Sequence, residues 1–111
     1  MEKLNILWTT DNKETFFHML SMYAINAKKR GLWKEINVII WGASSKLAGT
    51  DTEVQATIVE MMAQGITVEA CLTCAENLGV AEALSQLGVN LRSMGQPLTD
   101  YLKADEKILT I

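Results

Sequence analysis

Cys71 and Cys74 are the residues of this chain whose type and spacing can do chemistry. They lie in the run Ala70-Cys71-Leu72-Thr73-Cys74-Ala75. The preceding stretch, Ile66-Thr67-Val68-Glu69-Ala70, reads as a strand, and the spacing after it turns helical. The thiols therefore belong to a strand–helix junction, where open α/β sheets hold their ligands. The first turn of a helix carries free N–H groups and a partial positive charge, and both favour a thiolate, the reactive form of cysteine. A Cys-x-x-Cys pair at such a junction points to dithiol redox chemistry. The competing reading is packing, because free cysteine is often buried and behaves as a small hydrophobe.

Other chemistries find less support. A thioredoxin-type site belongs to the first strand–helix junction and has proline nearby. Here the pair follows the third strand and the single proline is Pro97. Zinc needs about four N or S ligands, and Cys71, Cys74 and His18 are the only soft ones, so a metal would have to bridge subunits. His18 lies off the main apolar face of its helix and reads as a solvated or interface residue. No Ser/His/Asp arrangement follows from spacing. Gly42-Ala43-Ser44-Ser45-Lys46 lacks the pattern of a phosphate loop and reads as a polar rim loop. Trp41, at the end of the second strand, is placed to wall a pocket beside Cys71, together with Gly42 and with Thr10 at the end of the first strand. No cofactor and no resident metal are expected.

The elements that position these residues are legible in order. Lys3 to Thr9 reads as a strand, closed by the turn and cap residues Thr10-Asp11-Asn12. Asn12 to Arg30 reads as a long helix with an apolar face of Phe16, Phe17, Leu20, Tyr23, Ala24 and Ala27. Met22 and Ile25 lie off that face and Met19 at its edge, which points to cover by another subunit. Ile36 to Trp41 is a second strand. Thr50-x-x-Glu53 reads as a capping box for a helix ending near Ala63 that buries Val54, Ile58, Met61 and Met62. Ile66 to Leu72 is the third strand, followed by short helices over 74–78 and 80–87. Val89 to Met94, a helix from Pro97 to Lys103 and Lys107 to Ile111 complete the chain.

Alternating strands and helices predict a mostly parallel sheet in one α/β domain spanning residues 1–111. One face of the strands is apolar: Leu4, Ile6 and Trp8, then Ile36, Val38 and Ile40, then Val68 and Ala70. The other carries Asn5, Asn37, Thr67, Glu69, Asn90 and Arg92 among apolar residues. Strands covered on both sides are apolar throughout, so this second face is expected to be thinly covered. Glu69 and Arg92 share it and are expected to lie close together.

With 111 residues, 49% hydrophobic, and a net charge of −3 without a basic patch, the chain has a core and no footprint for nucleic acid. No apolar run is long enough to span a bilayer, and the first residues have no signal core. The expected location is the cytoplasm, with no membrane partner.

The run Ala-Cys-x-x-Cys-Ala-x-x-x-Gly-Val from Ala70, the upstream Trp41-Gly42 and the ending Lys107-Ile108-Leu109-Thr110 resemble the DsrE/DsrF-like family over essentially the whole chain. The resemblance implies a three-layer α/β/α sandwich with a five-stranded, mainly parallel sheet in the order 4-3-2-1-5. It implies sulfur-relay chemistry, in which one cysteine at the end of the third strand, eight residues before a glycine, carries sulfur as a persulfide. Cys71 and Gly79 have that relation. The chain differs from the relay subunits at Cys74, where they usually have a small residue, and is closer to the single-subunit branch. The family implies a trimer or a hexamer of two trimers. The apolar residues off the core face of the first helix point to a homo-oligomer in any case, with a dimer as alternative. Relay chemistry implies a sulfur donor or acceptor protein as partner. Three functions follow: a persulfide carrier or sulfurtransferase-like protein acting through Cys71, a dithiol redox protein using Cys71 and Cys74, or a small-ligand binding module.

Overall fold

A computed structural model describes residues 2–111. In it β1 (Lys3–Trp8), β2 (Glu35–Ile40), β3 (Thr67–Cys71), β4 (Asn90–Arg92) and β5 (Lys107–Thr110) form one five-stranded sheet in the order β4-β3-β2-β1-β5. All four pairings are parallel. The order and the layers agree with the expectation. Crossovers between parallel strands are right-handed. Stepping from β1 to β4 in one direction therefore puts the intervening helices on one face, and reversing to β5 puts the last helix on the other.

The first crossover helix, α1, runs over residues 13–29; it is α-helical over Lys13–Thr15, π-helical over Phe16–Ser21 and α-helical again over Met22–Lys29. Asn12 caps it by accepting from the Thr15 N–H at 2.8 Å. The π segment corrects the expected apolar face. A π turn holds about one residue more than an α turn, so the residues after it lag by about 100°. Tyr23 is thereby turned outward, to 38% exposure, and Ile25 is turned in against the core. Phe16, Leu20, Ala24 and Ala27 remain buried as expected.

Two further expectations are corrected between β2 and β3. Residues 42–46 are not a rim loop: α2 spans Ser44–Thr50, and Ser44 and Ser45 are fully buried. The Ser44 hydroxyl donates to the Trp8 carbonyl at 2.6 Å and accepts from the Trp41 N–H at 3.2 Å, tying the ends of β1 and β2 together. The next helix, α3 (Thr52–Ala63), is capped by Asp51 accepting from the Val54 N–H, not by the Thr50 box. Thr50 instead donates to the Lys46 carbonyl within α2. Along α3, Val54, Ile58 and Met61 are buried while Met62 is only partly so.

Two short helices, α4 (Leu72–Asn77) and α5 (Ala81–Leu87), link β3 to β4. Gly49 of α2 faces Val80 at the start of α5 so closely that a Cβ there would lie 2.4 Å from the valine Cβ. The main core joins the apolar sheet face to α1–α5. Each fully buried Ile, Leu or Phe in it contributes roughly 1.5–3 kcal/mol. On the other face α6 (Gly95–Lys103) buries no residue completely. This is the thin cover that the half-polar strands predicted.

Candidate functional site

Cys71 is the last residue of β3 and the N-cap of α4. The helix thus begins at Leu72, earlier than the expected Cys74, because the chain turns as soon as the ladder to β4 ends at the Cys71–Arg92 pair. The Cys71 side chain takes the parity of Glu69 and points to the thinly covered face. There it packs in a small second core with Ile39 and Met94, against which Trp41, Cys74 and Leu98 are placed. It is 7% exposed. Above it opens a groove of about 660 Å³ at the carboxyl ends of β2, β3 and β4. Trp41, Gly42 and Ala43 form one wall, Thr73, Cys74 and Leu78 another, and Ser93, Met94 and Gly95 the third. Gly42 reaches this position with φ +77°, a left-handed conformation that suits glycine.

Cys74 also lines the groove and is more exposed than Cys71. Its Sγ accepts from the buried Ser45 hydroxyl at 3.7 Å and donates to the Gly42 carbonyl at the same distance. Both cysteines are free thiols. The Cys74 proton is directed at a backbone carbonyl. Cys71 Sγ has no hydrogen-bond partner among the described residues.

Beneath the groove, on the same sheet face, lies a buried polar network. The Glu69 carboxylate accepts from Asn37 Nδ2 at 2.9 Å and from the Tyr101 hydroxyl at 2.7 Å, and pairs with the Arg92 guanidinium. Asn37 also donates to Asn5 at 3.2 Å, and Asn5 to Glu106 at 2.9 Å. The pairing of Glu69 with Arg92 bears out the predicted facing of β3 and β4. Burial, with the Glu69 carboxylate beside it, pushes the Tyr101 phenol up to about 12. Both effects disfavour a phenolate. A second cavity, of about 440 Å³, opens beside Glu69 and Asn37 but contains neither thiol.

The structure thus brings Cys71, Cys74, Trp41 and Gly42 to one groove, and leaves Thr10 outside it. The Thr10 hydroxyl instead accepts from the Asn12 N–H at 3.1 Å in the turn before α1. His18 is exposed on the π segment, in a shallow hollow with Met19 and Met22. Among the described residues no three His, Cys, Asp or Glu side chains converge as metal ligands do. Ser93, Met94 and Gly95 were missed from the sequence. The rule that sites gather at the carboxyl ends of strands, applied to β4 as neighbour of β3, is the signal that finds them.

No protein-family model matches the chain, and no curated protein does. Among solved structures it is similar to a conserved protein of unknown function, BT1422, from Bacteroides thetaiotaomicron. The two are 61% identical, with 99% of this chain and 95% of that one covered and a TM-score of 0.98. The chain belongs to the BT1422 family. The fold of this family extends to far more distant sequences. MTH1491, a protein of unknown function from Methanobacterium thermoautotrophicum, matches over 100% of both chains at 15% identity and a TM-score of 0.80. The ychN protein from E. coli matches over 100% of both at 20% identity and a TM-score of 0.73. Both have the DsrE/DsrF-like fold, and the BT1422 family shares it.

Proposed function

We propose that the protein is a single DsrE-like domain that carries sulfur as a persulfide, or transfers it in the manner of a sulfurtransferase, through Cys71. The observation that supports this reading is the position of that thiol. It ends the third strand, held by the sheet, at the floor of an apolar groove with no hydrogen bond on its sulfur among the described residues. Sulfur passes between such groups by attack of a thiolate on a bound sulfur, as in disulfide exchange. Intact-mass analysis of fresh protein treated with a persulfide donor tests it. A one-sulfur gain that maps to Cys71 and vanishes in Cys71→Ser supports the carrier; uptake that survives in Cys71→Ser overturns it.

A second reading, a dithiol redox protein, is favoured by one observation: Cys74 lines the same groove and packs against the same small core as Cys71. A reversible disulfide couple near the cytosolic glutathione poise, without a one-sulfur adduct, would select it. A third reading, a small-ligand binding module, predicts neither product. The expected setting is the cytoplasm; none of the described helices is long and apolar enough to cross a membrane. The assembly is proposed to be a homotrimer or hexamer, with a dimer as alternative. Exposed Met19, Met22, Tyr23 and Leu32, and the thin cover of the second sheet face, support it. Sedimentation at micromolar concentration that shows only the 12.3 kDa monomer overturns it.

A further inference from the structure

The groove over Cys71 has a property that bears on what can enter it. None of the eleven residues that line it is charged. Its walls are an indole, a thioether, an aliphatic side chain and glycine and alanine backbone, with the small polar groups of Thr73, Asn77 and Ser93 at the edge. The basic residue nearest in register is Arg92, paired with Cys71 across β3 and β4. Its guanidinium is turned down the sheet face, where it pairs with Glu69 and donates to the Tyr101 hydroxyl at 2.9 Å. The cation that the neighbouring strand brings nearest in register is therefore already paired below the groove.

We propose that the groove takes a persulfide whose carrier group is uncharged and apolar, and turns away anionic sulfur donors. The proposal rests on the carrier reading above and names its donor class. The step is attack of the Cys71 thiolate on the outer sulfur of R–S–SH. A bond forms between Cys71 Sγ and that sulfur while the S–S bond of the donor breaks. R–S⁻ leaves with the electron pair, and the proton stays on the transferred sulfur, so no outside oxidant or reductant is needed. Thiosulfate, whose outer sulfur would pass to Cys71 with sulfite as the leaving group, would have to bring a dianion against apolar walls, and glutathione persulfide two carboxylates. No charged side chain lines the groove to offset the desolvation of such a charge, which is costly.

Persulfides that share the S–SH head and differ only in carrier isolate the effect. The persulfide of N-acetylcysteine amide has an uncharged carrier and glutathione persulfide a charged one; thiosulfate, which has no S–SH head and releases sulfite when its outer sulfur is taken, is a separate dianionic donor. Each is given to the folded protein and to the same chain unfolded in urea, and the rate of one-sulfur gain at Cys71 is read by mass. The folded-to-unfolded ratio cancels the intrinsic reactivity of each donor. It is expected to favour the uncharged carrier over glutathione persulfide by about tenfold or more, since a buried unpaired charge costs at least that much, and thiosulfate should leave no adduct. Asn77→Lys, which sets a cation at the edge of the groove, should raise the relative rate with glutathione persulfide by about twofold, an increase that high salt removes. Equal ratios for the two persulfides, or loading by thiosulfate, overturn the proposal.

Binding of unreactive thioether analogues of the two carriers, followed by the methyl resonances of Met94 and Leu78, separates the donor class from the carrier reading. If no donor loads Cys71 but only the uncharged analogue binds, the carrier reading fails and the groove stands as a selective site for uncharged ligands. If both analogues bind alike, the selectivity fails whatever sulfur does. If neither donor nor analogue engages the groove, both readings fall.

Discussion

Glu69→Gln is the substitution that most directly tests how the second sheet face is held. The carboxylate is 7% exposed and takes three partners: Asn37, Tyr101 and Arg92. Glutamine keeps the shape and one acceptor oxygen, so the Asn37 bond survives. Asn37 and Tyr101 donate to the same oxygen, so the Tyr101 bond survives with it, and the amide NH₂ takes the place of the other oxygen and faces the Arg92 guanidinium, donor against donor. Removing one member of a fully buried ion pair costs about 3–5 kcal/mol. Arg92 is 44% exposed, however, and can return to water. What remains is the loss of one charge-assisted hydrogen bond from a buried position, about 1.5–3 kcal/mol. The expected destabilisation is therefore about 2 kcal/mol, of the size that one charge-assisted bond is worth. In urea the midpoint should fall by about 1 M with the slope unchanged. Protein concentration must be held fixed, because association would add to apparent stability. A Glu69→Gln, Arg92→Gln double cycle should return a coupling below about 1 kcal/mol, as for a partly exposed pair. A Glu69→Gln loss under about 0.5 kcal/mol would show that the network is ornamental. A loss above about 4 kcal/mol would show that Arg92 cannot resolvate, and the exposure argument would be wrong.

Three other outcomes are expected. Iodoacetamide at pH 7, read at the peptide level, should label Cys71 ahead of Cys74, whose sulfur is engaged by Ser45 and Gly42; faster labelling of Cys74, which is the more exposed of the two, would reverse their roles. Gly49→Ala should destabilise by about 1–3 kcal/mol through overpacking, since the new methyl would lie 2.4 Å from the Val80 Cβ. Val80→Gly in the same chain, which removes that Cβ, should relieve the contact, whereas Val80→Ala, which keeps it, should not; a neutral single variant would mean that α2 and α5 slide apart freely. Tyr101 titrates near 12 in the folded chain against 10.0 for a free phenol. The unfolded chain therefore sheds this proton first as pH rises, so the contribution of Tyr101 is intact below about pH 10 and is lost between about 10 and 12. The phenolate absorbance step missing in Tyr101→Phe should fall near pH 12, and a step near 10 would contradict the burial and the Glu69 bond.

The sequence by itself determined the strands, their alternation with helices and which face of each strand is apolar, because these follow from periods of two and 3.6 residues that any chain reader can count. It also placed Cys71 at a strand end, and it put Glu69 and Arg92 on one face by parity alone. The strand order came from a resemblance, and no local signal carries it. What only the tertiary structure decided depends on neighbours distant in the chain. The π turn in α1 rotates Tyr23 out and Ile25 in without any mark in residue type. Ser44 and Ser45 look like loop residues, yet they are buried because the ends of β1 and β2 offer the Ser44 hydroxyl its partners and Cys74 offers one to Ser45. The groove is closed by Ser93, Met94 and Gly95, about twenty residues beyond the thiols, because β4 lies beside β3. Thr10 was drawn to the site by its position at a strand end, but the carboxyl end of β1 is two strands away from β3, across β2, and the hydroxyl serves its own turn. Side-chain chemistry is written in the sequence; which side chains share a cavity is set by strand order and crossover hand, which act through packing of the whole sheet.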